Sequence, residues 1–387
     1  MTRAPYSQWQ ILRHDRWLLS CLTWLPLALA LSIWAIFSQG IARDLPVAVV
    51  DLSHSPISVS LTRHFDASPT IAVTHQYQSA YEAKQALVKG DIYAYAVIPT
   101  DFDKTVIKGL SPQISVFYNS QMILVGKLIN SAFVGAQTTF NAKLSTIHHL
   151  AKGSGTIQSA MGQALPIRSQ ITPLFNKNSN YAQFLVSAIV PALWQIVIVV
   201  STILILAANQ RVKGLLPWLS EQPIRTLLNT LLPYMPVFML QGFGFLCWFY
   251  IGFEWPWHGN MLMLVFAQFI TMLACIVMGS FFFFLTLDPA RAMSFAGAFT
   301  APSFAFMGIT FPVGDMNALA QFWRSLLPIS HYIEVQVSQV SYGATTFNAF
   351  THLLPMVGYL IPACLVVLLM KKHLTVASQS ESSHVSV

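Results

Sequence analysis

The residues of this sequence that could do chemistry are few, and most are poorly spaced for it. His148-His149 is an adjacent pair. Neighbouring side chains diverge by about 100° around a helix, so the two cannot easily share one ion and read as solvated helix residues. Cys21, Cys247, Cys275 and Cys364 all lie in apolar runs. They read as small packing or lipid-facing residues, and no disulfide framework is expected. Gly126-Lys127 lacks the upstream glycine and the following Ser/Thr of a phosphate-cradling loop. There is no H-E-x-x-H and no G-x-S-x-G, and no Ser/His/Asp spacing singles out a triad. The chain is therefore expected to have no catalytic site, no metal and no cofactor of its own. What remains is contact chemistry. Basic and aromatic groups flank apolar runs at Trp9, Arg13, Arg211, Lys213, Gly214, Leu215 and Trp218, and a polar-aromatic cluster stands at Pro328, His331 and Tyr332.

The elements that must hold these groups are apolar helices. Of 387 residues, 55% are hydrophobic and only 9% charged. A soluble core cannot solvate so much apolar surface, whereas a bilayer covers it. A spanning helix needs about 20 apolar residues. Six runs qualify: Trp17 to Phe37, Phe184 to Ala208, Leu227 to Phe253, Met261 to Leu287, Met293 to Val313 and His352 to Met370. The first is too long for a signal peptide and carries Trp24 and Pro26, so it reads as an uncleaved anchor.

The short loops set the orientation. With the N-terminus inside, the inner segments hold Arg3, Arg13, Arg16, Arg211, Lys213, Arg225, Arg291, Lys371 and Lys372, and the short outer loops only Arg324. Both termini are expected in the cytoplasm of a bacterium, the chain being multi-pass in its inner membrane. The net charge of +7 is this topology signal, because Lys and Arg are scattered beside apolar runs rather than gathered for phosphates. No nucleic-acid partner is expected.

Residues 39–180 form the large polar insert. Val47 to Asp51, Ile71 to His75, Asp91 to Ile98 and Ile114 to Phe117 read as strands, with Ile92, Ala94, Ala96 and Ile98 sharing one face. Helices fall between them, from Ser55-Pro56 to about Phe65 and from Ser79 to Lys89. Glu82 stands at capping-box spacing from Ser79. This alternation predicts an α/β domain with a parallel or mixed sheet. Gln121 to Leu150 then reads as a long helix, with Leu124, Leu128, Ser131 and Gly135 on one face, broken at Lys152 to Gly155. A weaker helix follows through Pro166 and Pro173, and together they read as a stalk.

No run has Asp, Glu, Lys or Arg in its interior, and Gln195, Gln241 and Gln268 are the main polar groups there. Ion-coupled transporters place ionisable groups at such positions. The balance favours a chain driven from outside itself.

Several short segments in order resemble the ABC-2 type exporter permeases with a large external insert after the first span. They are Val47-Ala48-Val49-Val50-Asp51 with Ser55-Pro56, Ala83 through Gly90, Ala96-Val97-Ile98-Pro99 with Phe102, Asn178 to Leu193, and Leu327 to Tyr332 with Tyr342-Gly343. The match runs nearly the full length. In one place the sequence departs: where relatives often carry an acidic, Gly-Thr-containing stretch after span two, this chain reads Asn209 to Trp218 with Gly214 but no acids.

The resemblance implies a permease subunit, pairing as a homodimer or with a related permease. A cytoplasmic ATP-binding subunit would bind the ATP, and some relatives add a periplasmic adaptor and an outer-membrane channel. The expected plan is an amphipathic N-terminal helix (1–16), span one (17–38), the external α/β domain and stalk (39–180), spans two to six (181–370) and a cytoplasmic tail (371–387). The loop 209–226, with Arg211, Lys213, Gly214, Leu215 and Trp218, is the expected ATPase-coupling element, helped by Trp9 and Arg13. The segment 314–350 is expected to be re-entrant, with Pro328, His331 and Tyr332 at an outer gate. The substrate class is hydrophobic or amphipathic: a drug-like molecule, a lipid or a peptide. A membrane receptor or scaffold using its external domain is the alternative, and an intramembrane enzyme would need a polar cluster that the spans lack.

Overall fold

The computed structural model describes residues 7–151, 156, 175–176, 180–219 and 221–385. The expected break at Lys152 to Gly155 and the weaker helix through Pro166 and Pro173 lie outside these. The chain divides into two compact units, residues 1–40 with 173–387 and residues 41–172.

The first unit opens with α1 (Gln8–His14), α2 (Arg16–Leu22) and α3 (Trp24–Phe37). Ser7 and Gln10 close a reciprocal capping box on α1, and Asp15 caps α2 by accepting from the Leu18 amide. The expected single span Trp17 to Phe37 is two helices bent by 50° at Thr23. Pro26 is the reason. A proline cannot donate to the carbonyl four residues back, and its ring presses against that carbonyl. The orphan here is Leu22 O, and Gln241 Nε2 donates to it at 3.0 Å.

The second unit contains β1 (Leu45–Asp51), α4 (Pro56–Asp66), β2 (Ile71–Gln76), α5 (Ala80–Lys89), β3 (Ala94–Ile98), α6 (Phe102–Ile107), β4 (Ser115–Tyr118) and α7 (Ile123–Ala151). The sheet is mixed, in order β2-β1-β3-β4, parallel except for β4 against β3. The predicted alternation of strand and helix holds, with three corrections. The strand at 94–98 starts late, so Ile92 packs with Ala48, Val50 and Tyr95 rather than on the face of Ala94, Ala96 and Ile98. Ser79 does cap α5, but Glu82 bonds the Gln78 amide and leaves the Ser79 amide aside, so that box is incomplete. The reciprocal box is at Ser55 and Ser58. The long helix expected as a stalk is instead a core element over this length. Ile129, Phe133 and Phe140 of α7 enter the sheet core, and Phe133 meets Phe65 of α4 edge to face at 4.9 Å. Leu128, Ser131 and Gly135, which the helical spacing placed on one face, line an open groove with His64 and Ser68.

The first unit resumes with a π turn, Ala182–Val186, that runs into α8 (Ser187–Lys213). Then come α9 (Leu215–Leu219), α10 (Pro223–Leu231), α11 (Met235–Cys247), α12 (Met261–Thr286), α13 (Pro289–Thr300), α14 (Ser303–Phe306), α15 (Ala318–Ser325), α16 (Pro328–Val340), α17 (Thr346–Thr351) and α18 (Leu360–Val385). Four stretches are long and apolar enough to cross a membrane: Ala182–Lys213, Pro223–Gly252, Met261–Thr286 and Thr346–Gln379. The bent α2–α3 pair makes a fifth. Met293 to Val313, expected as a span, is not among them. α13 stops at Thr300, Pro302 follows, and only the single turn α14 comes after. The polar tail expected from Lys371 is helical as well, since α18 continues to Val385.

Burial ranks the membrane-length helices. The apolar window of 182–213 is 72% buried within the chain, against 22% for that of 346–379. α8 is thus the central post of the unit and the C-terminal helix its outer wall. α8 carries Pro191 in its interior, which orphans Ser187 O. Gln336 Nε2 of α16 donates to that oxygen at 2.7 Å. The remedy is the one used at Pro26, a glutamine from a neighbouring helix satisfying a carbonyl freed by proline.

Candidate functional site

The first candidate surface is built at the C-terminal end of α8. Asn209 sits one turn from that end and is fully buried. Its amide exchanges two hydrogen bonds with Gln8, Gln8 Nε2 donating to Oδ1 at 2.9 Å and Asn209 Nδ2 donating to Gln8 Oε1 at 3.1 Å. Tyr234 Oη also reaches Gln8 Oε1, at 3.3 Å. Asp15, which caps α2, receives Arg211 Nη2 at 3.0 Å. Together these contacts clamp α1 and α2 to α8. The Arg13 guanidinium lies 4.9 Å over the Trp9 ring, a cation–π contact on an exposed face.

The N-terminal helix was expected to be amphipathic, with Trp9 and Arg13 available to the ATPase. In the structure Ile11 is its buried anchor, at 3% exposure, and Trp9 stands outward at 59%. Gly214 ends α8 at φ 77°, ψ 155°, a backbone region that side chains with a Cβ avoid, and the chain can then turn into α9. Trp218 was expected to face a partner. It is buried, its indole N–H donating to Thr230 Oγ1 of α10 at 3.2 Å. The loop is fastened by Trp218, Lys213 and Leu215 are half-buried, and Trp9, Arg13 and Arg211 are the exposed groups. Gln8, Asp15 and Asn209 went unread in the sequence, although the Ser7–Gln10 capping pair signalled a fixed helix start there.

The second candidate is α16, which carries Pro328, His331 and Tyr332. All three are buried, Tyr332 completely. Leu327 gives this helix no side-chain cap. Gln195 Oε1 of α8 serves instead, accepting from the Ile329 amide at 2.9 Å while Gln195 Nε2 donates to Ser303 Oγ at 3.1 Å. Gln268 of α12 donates to Gly242 O at 2.9 Å and lies 3.4 Å from Tyr332 Oη. Gln336 holds Ser187 O, and Gln339 accepts from the Asn260 amide at 2.8 Å. α16 is therefore packed into the helix bundle on several sides, and opening it would break each of these contacts.

Charged groups gather on one flank of α16. Glu334 Oε1 is 2.7 Å from Nη2 of Arg324, which is 7% exposed, and Oε2 is 3.5 Å from His352 Nδ1. The Arg324 contact is a close ion pair and not an aligned hydrogen bond, since neither Nε nor Nη2 finds an acceptor in hydrogen-bonding geometry. His331 contributes Nε2 to the Ser325 carbonyl at 3.0 Å, and burial pushes its pKa down. The sequence read Arg324 only as a lone outer charge and did not single out Glu334. No spacing rule connects residues 324, 334 and 352.

Among the described residues, no group of three or more His, Cys, Asp or Glu side chains comes together as a metal site. The arrangement offers fastened helices, one exposed basic-aromatic surface and one buried polar helix. Comparison with curated proteins and with solved structures returns no significant match. A family model described as ABC-2 family transporter protein does match, over residues 16–370, which is nearly the whole chain. Together with the membrane-length helices, that match places this multi-pass membrane protein in the ABC-2 transporter family.

Proposed function

We propose that the chain is the permease subunit of an ATP-driven exporter that moves a hydrophobic or amphipathic substrate out of the cytoplasm or inner leaflet. A separate cytoplasmic ATP-binding subunit supplies the energy. The observation that carries this reading is the clamp at the end of α8. Gln8–Asn209 and Asp15–Arg211 join the N-terminal helices to the most buried membrane-length helix and leave Trp9, Arg13 and Arg211 exposed. A push on that surface reaches α8 directly. From α8 it passes through Gln195 and Gln336 to α16, where Pro328, His331 and Tyr332 form the outer gate.

In this reading both termini are cytoplasmic, in the inner membrane of a bacterium, and residues 39–180 lie outside. Two permeases pair, as a homodimer or with a relative, and the pair works with or without a periplasmic adaptor and outer-membrane channel. Six crossings are reached if the bent α2–α3 pair and the broken α13–α14 stretch each cross.

The test is reconstitution of the chain with its ATPase in vesicles. Substrate-stimulated hydrolysis and copurification of the two are expected. Arg211→Gln or Asp15→Asn should cut the stimulated rate several-fold while leaving stability nearly unchanged, because the pair is solvent-exposed on the arginine side. If the two proteins neither copurify nor move any amphiphile, the proposal is wrong.

A further inference from the structure

We propose that the groove between α10, α12 and the 346–379 stretch binds one acyl chain of a bilayer phospholipid. Its volume is about 530 Å³, within the range of small-molecule sites, and its walls include Leu231, Ile270, Leu273, Leu353 and Ala363. Three membrane-length helices form these walls, so the medium at its mouth is hydrocarbon.

Water is excluded as the occupant, because it would need polar partners. The lining is apolar except for Tyr359, whose hydroxyl is already committed to Leu326 O at 2.6 Å. A second copy of the chain is the competing occupant, and cross-linking separates it from lipid.

An acyl chain fits in length as well. The lining on α12 runs from Phe266 to Val277, about 16 Å at 1.5 Å per residue. One leaflet of a hydrocarbon core about 30 Å thick has the same depth. The groove also lies on the least-buried wall of the unit, where lipid has access.

The experiment uses the full chain in vesicles of phosphatidylethanolamine and phosphatidylglycerol, doped with a phospholipid carrying a diazirine in its acyl chain. After irradiation following detergent extraction and washing, labelled peptides are mapped by mass spectrometry. Peptides 270–277 and 353–363 should retain several-fold more label than those holding Leu240 and Ile251, which are exposed to 70% and 72% on ordinary lipid-facing surface. Ala363→Trp, which fills the groove, should lower groove labelling to that background and leave Leu240 unchanged. Should Ala363→Trp not fold, the wild-type ratio still decides. Equal labelling of groove and background overturns the proposal. So does efficient disulfide formation between two copies carrying Val357→Cys, which would assign the groove to a second chain. The measurement involves neither ATPase nor transport, so its outcome is separate from that of the function proposed above.

Discussion

Gln336 and Pro191 should be coupled in stability, and the sign of the coupling is the informative part. Pro191 leaves Ser187 O without its intrahelical donor, and Gln336 supplies one at 2.7 Å from another helix. In Gln336→Leu that carbonyl is orphaned. A buried unsatisfied polar group costs about 1–3 kcal/mol in proteins generally. Interhelical hydrogen bonds inside membranes average only about 0.6 kcal/mol, with a maximum near 1.7. The lower scale applies to lipid-embedded helices, but the contact is short and Gln336 is 4% exposed, so the loss should be about 1–2 kcal/mol. In Pro191→Ala the residue 191 amide can take over Ser187 O. Gln336→Leu made in that background should then cost little, leaving a coupling of about 1 kcal/mol between the two sites. The assay is unfolding of the purified chain in mixed micelles with rising SDS, followed by tryptophan fluorescence for the wild type, both single variants and the double variant. Additivity of the two changes within about 0.5 kcal/mol would refute the assignment of Gln336 as donor to a proline-freed carbonyl.

Three further outcomes follow from the same contacts. Arg324→Met leaves Glu334 without its nearest cation and should cost about 2 kcal/mol, below the full buried-pair value because Glu334 is partly exposed. Arg324→Met with Glu334→Met should recover most of the loss in the same unfolding assay. Gly242→Ala sets a Cβ 2.9 Å from the Trp194 ring and 3.1 Å from Gln268 Nε2 and should cost about 1–3 kcal/mol, whereas Gly244→Ala meets nothing within 4 Å and should be neutral. His331 sits on α16, outside the membrane-length helices, with its folded pKa held below the ordinary 6.5 by burial. The unfolded chain therefore binds more protons below that value. The stability contributed by this group is complete above pH 6.5 and falls as the pH drops beneath it, and His331→Gln should flatten that dependence in unfolding measurements from pH 7.5 to 5.5.

Much of the architecture follows from local pattern. Hydropathy runs mark the membrane-length helices because each must satisfy its own backbone and present apolar side chains, a property of consecutive residues. The alternation from Leu45 to Tyr118 marks the α/β sheet for a similar reason, and Ser55-Pro56 and Ser79 announce helix starts through contacts three residues away. The loop after α8 is also visible as a basic, Gly-punctuated stretch from Arg211 to Arg225.

The partners of side chains were not visible. Gln195, Gln241 and Gln268 stood out in sequence as the main polar groups of apolar runs, but not the partners they take: each is bound to a backbone or hydroxyl group of another element. Whether a glutamine meets an ion or an orphan carbonyl depends on which helix lies beside it, and that is fixed by packing across separations of more than a hundred residues, as for Gln195 and Ile329. Trp218 turned inward and Trp9 outward for the same cause. Composition decided that this chain lives in a membrane and carries an α/β insert. Only the assembled bundle decided which of its few polar groups are fasteners, because hydrogen bonds between helices are written in space and not in spacing.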